Sequence, residues 1–154
     1  MRRFVVIAVS LMFILGSASL VVAGDNPLRA KEKEVNNSFA ALIPADKQIG
    51  VDEFYKVYQD VMAGKKKAYL IDVRTHPEFY AFHIEGTDHI HAGHMYTIPK
   101  KITDPNAEIY IWCRTSHRAK YVAGFLYKYG YKNVYLYNKG VVGWAAAGHP
   151  FVNQ

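Results

Sequence analysis

The chain has 154 residues, is 51% hydrophobic and carries a net charge of +6 at neutral pH. This length suffices for one domain with a core of its own, and the hydrophobic content is typical of a globular protein. The positive charge is modest and its basic residues are scattered, without an RNA- or DNA-binding motif. We therefore predict small anionic substrates and no nucleic-acid partner.

The first 23 residues have the pattern of a secretory signal peptide. Arg2 and Arg3 precede an uncharged, mostly apolar run at residues 4–22, and Ala23 offers a small-residue cleavage site. Cleavage would remove both arginines and no acidic residue, leaving a net charge of +4 and a periplasmic protein. The alternative is an uncleaved anchor, because about 19 apolar residues are just enough to span a bilayer. Only then do we expect a membrane association.

Residues 24–47 are predicted to form a linker or N-terminal extension, and the domain follows at residues 48–154. The extension is mixed in composition, and its charge run at residues 31–34 is typical of a solvated surface. We interpret it as a tether in which a short helix would dock on the domain.

Strands alternate with helices along the domain. One apolar stripe predicts a helix at residues 50–62, and a short apolar run predicts a buried strand at residues 68–73. Thr75 and Glu78 form a capping box for a short helix that ends at Phe82, and we prefer this structural role of Glu78 to a catalytic one. The further elements are a strand or loop at 95–99, a strand at 109–112, a helix at 118–129, a strand at 133–137 and a helix at 141–147. This alternation predicts an α/β fold with a mostly parallel central sheet flanked by helices.

The only cysteine, Cys113, lies between the strand at residues 109–112 and the next helix. Ligands bind at the carboxyl ends of strands in open α/β sheets, and a helix amino terminus favours an anion such as a thiolate. Arg114, His117 and Arg118 add positive charge, which lowers the pKa of a thiol and makes it reactive. The alternative is a buried and inert cysteine, since free cysteines are often buried. Three basic neighbours lead us to prefer the reactive thiol.

Three segments, taken together, resemble the rhodanese (sulfurtransferase) family. They are Cys113-x4-Arg118, residues 70–86, and the run from Val134 to Pro150 with Gly140, Trp144 and Gly148. The first is similar to the active-site loop of the family, the second to its first signature and the third to its closing signature. The resemblance covers about residues 48–152 and implies the rhodanese fold.

The resemblance implies sulfur transfer without a metal or an organic cofactor. Cys113 would take the sulfane sulfur of a donor such as thiosulfate and become a persulfide, and cyanide, sulfite, a thiol or an acceptor protein would then remove the outer sulfur. The residues expected to bind the substrate are Arg114, Thr115, Ser116, His117 and Arg118. Asp72 and Arg74 are expected to support the active-site loop, and the partner of the Asp72 carboxylate would be Arg74 or Arg118.

Two positions and one segment depart from the family pattern. Phe82 stands where a glycine is usual, and the segment after Gly86 is altered, so we expect a different pocket wall. Ser116 stands where the loop often has a glycine. A serine is strained at positive φ, which would reshape the loop and weaken activity on thiosulfate.

Four of the seven histidines lie within residues 83–94, together with Glu85 and Asp88. On a strand, His89 and His91 would share a face, which would suit a metal site completed by His94 or Asp88. Their spacing matches no zinc motif, so we predict no metal site. We interpret the stretch as a polar loop or the rim of the substrate pocket.

Two other functions stay open. A phosphatase of the same fold would carry a Cys-x5-Arg loop that fits phosphate, whereas here the arginine follows Cys113 one residue too early. A non-catalytic persulfide carrier or binding module would also need Cys113. It would require a partner protein and would turn over small donors negligibly.

Overall fold

The computed structural model describes residues 26–153, so the predicted signal peptide at residues 1–23 lies outside the described residues. Within the described part, no helix is both long and apolar enough to cross a membrane. Its elements are α1 (Pro27–Ala40), β1 (Gln48–Ile49), α2 (Val51–Met62), β2 (Tyr69–Asp72), α3 (His76–Ala81), β3 (Asp88–His89), α4 (Ile98–Lys101), β4 (Glu108–Trp112), α5 (His117–Tyr129), β5 (Asn133–Tyr137) and α6 (Gly140–Ala146).

The five strands form one parallel sheet in the order β1-β5-β4-β2-β3. The central strand, β4, pairs with β2 and β5, and its residues Ile109, Tyr110, Ile111 and Trp112 are buried. Because all strands run in one direction, their carboxyl ends meet at one edge of the sheet. This sheet confirms the predicted α/β fold with helices flanking a parallel core.

Side chains of β4 alternate between two hydrophobic cores, as the pleat of a strand requires. Ile109 and Ile111 belong to the core that contains Val122 and Leu126 of α5. Tyr110 and Trp112 belong to the core of α2 and α6, which also contains the large side chains of Phe54, Tyr137 and Trp144. Each face of the sheet is therefore covered by helices, and β4 is anchored from both sides just before Cys113.

Residues 95–99, predicted to be a strand or a loop, are helical instead. A 3-10 helix at Ala92–Thr97 leads into α4, where Ile98 is fully buried. Pro99 lies in the first turn of α4, where its missing N–H costs nothing. The short apolar run therefore buries one side chain against the core without joining the sheet.

Helix α1 lies within the stretch predicted as a tether and packs against α5. Phe39 and Tyr121 bring their ring centroids to 5.3 Å. Asn36 is buried, and its Nδ2 donates a hydrogen bond of 3.1 Å to the carbonyl oxygen of His117, the first residue of α5. The two helices approach each other closely at Gly124, where an added Cβ would lie 2.5 Å from the carbonyl oxygen of Phe39.

Replacement of Gly124 by alanine is expected to destabilise the protein by about 1–3 kcal/mol, because the methyl group would push α1 away from α5. Helix propensity alone has the opposite sign, since alanine favours a helix interior by about 1 kcal/mol over glycine. Urea unfolding measures the difference. Tyr129→Ala, at an exposed position of α5, is the control and should change stability much less. A Gly124→Ala protein as stable as the wild type would contradict the close packing of α1.

Candidate active site

Cys113 directly follows β4 and opens the loop that leads to α5. Cys113 is only 1% exposed, so its side chain lies inside the loop rather than on the surface. Among the described residues, the backbone N–H groups of residues 114–118 donate to no protein acceptor. Together with the amino end of α5, they leave several hydrogen-bond donors available to an anion near Cys113.

The amino end of α6 holds this loop from the other side. The N–H of Val141 donates to the carbonyl oxygen of Cys113 at 3.1 Å, and the N–H of Val142 donates to that of Arg114 at 3.2 Å. Gly140 has a positive φ of 56°, and a Cβ at this residue would overlap the carbonyl oxygen of Cys113. A glycine is therefore needed at position 140 for two reasons: the backbone is left-handed there, and the start of α6 lies very close to the carbonyl oxygen of Cys113.

Arg118, the last residue of the Cys-x4-Arg motif, forms a bidentate ion pair with Glu78. Its Nη1 lies 2.6 Å from Glu78 Oε2, and its Nη2 lies 2.8 Å from Oε1. The hydrogen bonds from Arg118 hold the pKa of the Glu78 carboxyl far below its usual range, helped by those from Thr75. In turn, Glu78 raises the pKa of Arg118, and the nearby Cys113 sulfur contributes to the same shift.

Glu78 both caps α3, as the sequence predicts, and binds Arg118. Its Oε2 accepts hydrogen bonds from the Thr75 N–H at 3.0 Å and from the Thr75 hydroxyl at 2.7 Å, as the capping box predicts. The same carboxylate orients Arg118 beside Cys113. Sequence reasoning missed this second role because the two residues are 40 positions apart.

Asp72 and Arg74 form a buried ion pair at the carboxyl end of β2. Arg74 Nη2 lies 2.7 Å from Asp72 Oδ2, and both side chains are at most 1% exposed. The rest of the guanidinium donates to the carbonyl oxygens of Glu78 at 3.0 Å and Phe82 at 2.7 Å. The partner of Asp72 is thus Arg74, and the pair fixes α3, which in turn carries Glu78.

His117 points away from the other residues of the loop. Its Nε2 lies 2.8 Å from Glu32 Oε1 on α1, where the Tyr121 hydroxyl also donates at 2.8 Å. These contacts, led by the one from Tyr121, lower the pKa of Glu32. The structure therefore places His117 in the contact between α1 and α5, whereas Arg114 and Thr115 are exposed on the loop.

The strain expected at Ser116 is absent. Ser116 has a φ of 171°, which is extended backbone open to any residue, and no non-glycine residue in the described chain has a φ in the left-handed region. The loop reaches the amino end of α5 without a left-handed residue at position 116, so the serine is accommodated without that strain. The expected weak activity on thiosulfate stays a prediction.

Beside the loop lies a cavity of about 570 Å³, which we name the Phe82 cavity. Its lining residues are Arg74, Glu78, Phe82, Arg114, Val141, Val142, Ala145 and Phe151. The lining combines Arg74 and Arg114 of the predicted site with apolar residues from α6 and the C-terminal segment. No local pattern predicts that these segments meet.

The histidines cluster at the other side of α3. His76 joins His89, His91 and His94, with ring centroids of His76 and His89 4.7 Å apart and those of His91 and His94 5.7 Å apart. Burial lowers the pKa of His91, and the neighbouring histidines and Arg118 act in the same direction. In residues 26–153, no three His, Cys, Asp or Glu side chains converge as ligands of a metal ion would. The cluster lines an open cavity of about 400 Å³.

Replacement of Glu78 by glutamine is expected to lower the free energy of unfolding by about 1–2 kcal/mol at neutral pH, a range that allows for partial solvent exposure of the pair. The folded-state pKa of Glu78 is lowered, so its contribution is complete above the unfolded value of about 4.3 and declines as the pH falls below it. Wild type and variant should therefore converge in acid.

Urea unfolding at a series of pH values tests this convergence. Glu34→Gln is the matched control, because Glu34 pairs with Lys31 on the exposed surface of α1 and should contribute almost nothing. A difference between wild type and Glu78→Gln that is constant with pH would contradict the assigned ion pair.

Several solved structures share the architecture of this chain. The chain is similar to the polysulfide-sulfur transferase homodimer of Wolinella succinogenes, with 23% identity, a TM-score of 0.64, and coverage of 82% of this chain and 90% of that chain. It is also similar to a thiosulfate sulfurtransferase of Pseudomonas aeruginosa (18% identity, TM-score 0.58, 77% of this chain and 23% of that chain). A third is a protein of unknown function from Rhodopseudomonas palustris, a possible tyrosine phosphatase (16% identity, TM-score 0.64, 79% of this chain and 93% of that chain).

At these identities, the three likenesses show the fold alone. The comparison with curated proteins found no match. The model of the family described as Rhodanese-like domain matches residues 55–147, which is more than half of the chain. The protein therefore belongs to the rhodanese-like domain family.

Proposed function

We propose that the protein is a sulfurtransferase that carries a sulfane sulfur as a persulfide of Cys113. The observation that carries this proposal is the position of the only cysteine, which lies in a loop of available N–H donors beside Arg118. Membership of the rhodanese-like family and structural likeness to two sulfurtransferases support a sulfur-transfer role. Thiosulfate is the donor that we propose to test first.

In the first half-reaction, the Cys113 thiolate attacks the outer sulfur of thiosulfate. A sulfur–sulfur bond forms at Cys113 while the sulfur–sulfur bond of the donor breaks, and sulfite leaves with the electron pair. The loop N–H groups donate hydrogen bonds to the anionic sulfur donor and then to the anionic persulfide, which stabilises the negative charge of each. Arg118, oriented by Glu78, adds a positive charge beside the reacting sulfur.

In the second half-reaction, a nucleophilic acceptor attacks the outer sulfur of the persulfide. Cyanide leaves as thiocyanate, sulfite as thiosulfate and a thiolate as its own persulfide, and in each case the Cys113 thiolate is regenerated. The two half-reactions form a ping-pong cycle, in which the donor product leaves before the acceptor reacts.

Two alternatives use the same cysteine. A persulfide carrier would be charged by the same chemistry but would discharge at a useful rate only to a partner protein. A phosphatase is favoured by the likeness to the protein from R. palustris, but the loop of this chain has four residues between Cys113 and Arg118. The periplasmic location rests on residues 1–23 and is part of the proposal.

The direct test is the intact mass of the purified protein before and after incubation with thiosulfate. The reduced wild-type protein is expected to gain one sulfur atom and to lose it after cyanide is added. Since Cys113 is the only cysteine, the gain can be assigned to it, and Cys113→Ser should show none. Steady-state rates of thiocyanate formation then separate an enzyme from a carrier.

The opposite result is equally informative. A wild-type protein whose thiol is shown to be reduced and alkylatable, yet gains no sulfur, would contradict thiosulfate as the donor. Polysulfide would be tried next, and a failure with both would contradict sulfur transfer. Release of phosphate from an aryl phosphate, lost in Cys113→Ser, would instead support the phosphatase.

A further inference from the structure

The Phe82 cavity is larger than a small inorganic sulfur donor requires. Its volume of about 570 Å³ lies in the range of sites for organic ligands, which is about 300–1,000 Å³. Five of its eight lining residues are apolar: Phe82, Val141, Val142, Ala145 and Phe151. Such a wall offers a carbon skeleton a place away from water and offers thiosulfate or cyanide nothing.

The apolar wall is held in place by the fold. Phe82 and Phe151 bring their ring centroids to 5.0 Å, and the Arg74 guanidinium lies 5.0 Å from the centre of the Phe82 ring. The C-terminal segment is fixed by two hydrogen bonds of 2.9 Å between His83 and Val152, which form an isolated antiparallel bridge. Phe82, which stands in place of the usual glycine, thus builds a wall that is already formed without a ligand.

The charge of the cavity favours an anion. Of the five charged groups at the site, Arg74 is neutralised by Asp72, and Glu78 is neutralised by Arg118. Arg114 lines the cavity, is exposed, and forms no ion pair within residues 26–153. One uncompensated guanidinium therefore remains at the rim, and it is suited to a carboxylate or a sulfonate.

The cavity is also connected to the reacting residue. Arg114 follows Cys113 in the chain, and Val141 donates its N–H to the carbonyl oxygen of Cys113. A molecule in the cavity would thus lie against Arg114 and Val141, each of which is joined directly to the backbone of Cys113. This arrangement provides a surface that can direct a reactive sulfur towards the loop.

We propose that the Phe82 cavity binds the carbon body of an organic anionic thiol, with the anionic group on Arg114. This inference rests on the proposed function and names the class of acceptor. The bound thiolate attacks the outer sulfur of the Cys113 persulfide, the bond between the two persulfide sulfurs breaks, and Cys113 leaves as a thiolate. The product is the persulfide of the organic thiol, and no oxidant or reductant is consumed.

The test uses unreactive analogues, so that binding is measured apart from sulfur transfer. Linear alkanesulfonates from ethanesulfonate to hexanesulfonate are titrated into the full mature protein carrying Cys113→Ser, and binding is followed by NMR chemical shifts. The dissociation constant is expected to fall about three- to fourfold with each methylene, since one buried methylene contributes about 0.8 kcal/mol and 1.4 kcal/mol is tenfold. Alcohols of the same length should bind more weakly than the sulfonates.

Two variants locate the site. Val142→Asn places a polar group on the cavity wall and should flatten the dependence on chain length, whereas Arg114→Gln should remove the preference for sulfonates over alcohols. Val35→Asn, at an exposed position of α1 outside the cavity, is the matched control and should leave both unchanged. The shifted resonances should include those of Val142 and Phe151.

Three results would overturn the inference. The first is binding that is independent of chain length, and the second is binding that Val142→Asn leaves unaltered. The third is a dimer that sedimentation detects in the wild type and not in Val142→Asn, because the cavity would then be buried between two copies of the chain. None of them depends on persulfide chemistry. Conversely, chain-length-dependent binding in a protein that gains no sulfur from thiosulfate or polysulfide would uphold the cavity and contradict the proposed function. The two failures are therefore distinguishable.

Discussion

The buried ion pair between Asp72 and Arg74 is the contact on which the site depends. It joins the end of β2 to α3, because Arg74 also donates to two carbonyl oxygens of that helix and its end. Helix α3 then presents Glu78 to Arg118, and Phe82 to the cavity. A buried guanidinium needs all of these acceptors, since an unpaired charge in the interior is costly. The position of α3 is consequently tightly defined, and so is every group that it carries.

The residues around Cys113 come from segments that are distant in the chain. Arg118 belongs to the same loop, Glu78 comes from α3, and the carbonyl groups of the loop are bonded by the amino end of α6. Helix α1 adds a fourth segment through Asn36, which bonds the carbonyl oxygen at the start of α5. The loop is short and polar, and the surrounding elements rather than its own sequence define its shape.

Local pattern was sufficient to predict the parallel α/β fold and to single out Cys113. The apolar runs of β2 and β4 are short and continuous, as buried parallel strands are, and the capping box marks the start of α3 without reference to the rest of the fold. β1 and β3 have two residues each, which is too few to produce a periodic signal. Their place in the sheet is fixed by pairing alone.

The site differs from its sequence-based prediction mainly where residues distant in the chain pair with each other. No spacing rule connects Glu78 with Arg118, or His117 with Glu32, which is 85 residues away. The conformation of Ser116 also depends on the whole loop, so no local pattern predicts its φ. The walls of the Phe82 cavity meet only because the C-terminal segment pairs with His83.

The order of these segments along the chain means that the thiol is synthesised before the segments that surround it. Cys113 leaves the ribosome before α6 and the C-terminal segment, which supply the hydrogen bonds to its loop and the far wall of the neighbouring cavity. About 40 residues at roughly 5–20 residues per second correspond to a delay of about 2–8 s. During that interval the only cysteine of the chain lacks the hydrogen bonds from α6 and the cavity wall that lie beside it in the folded protein.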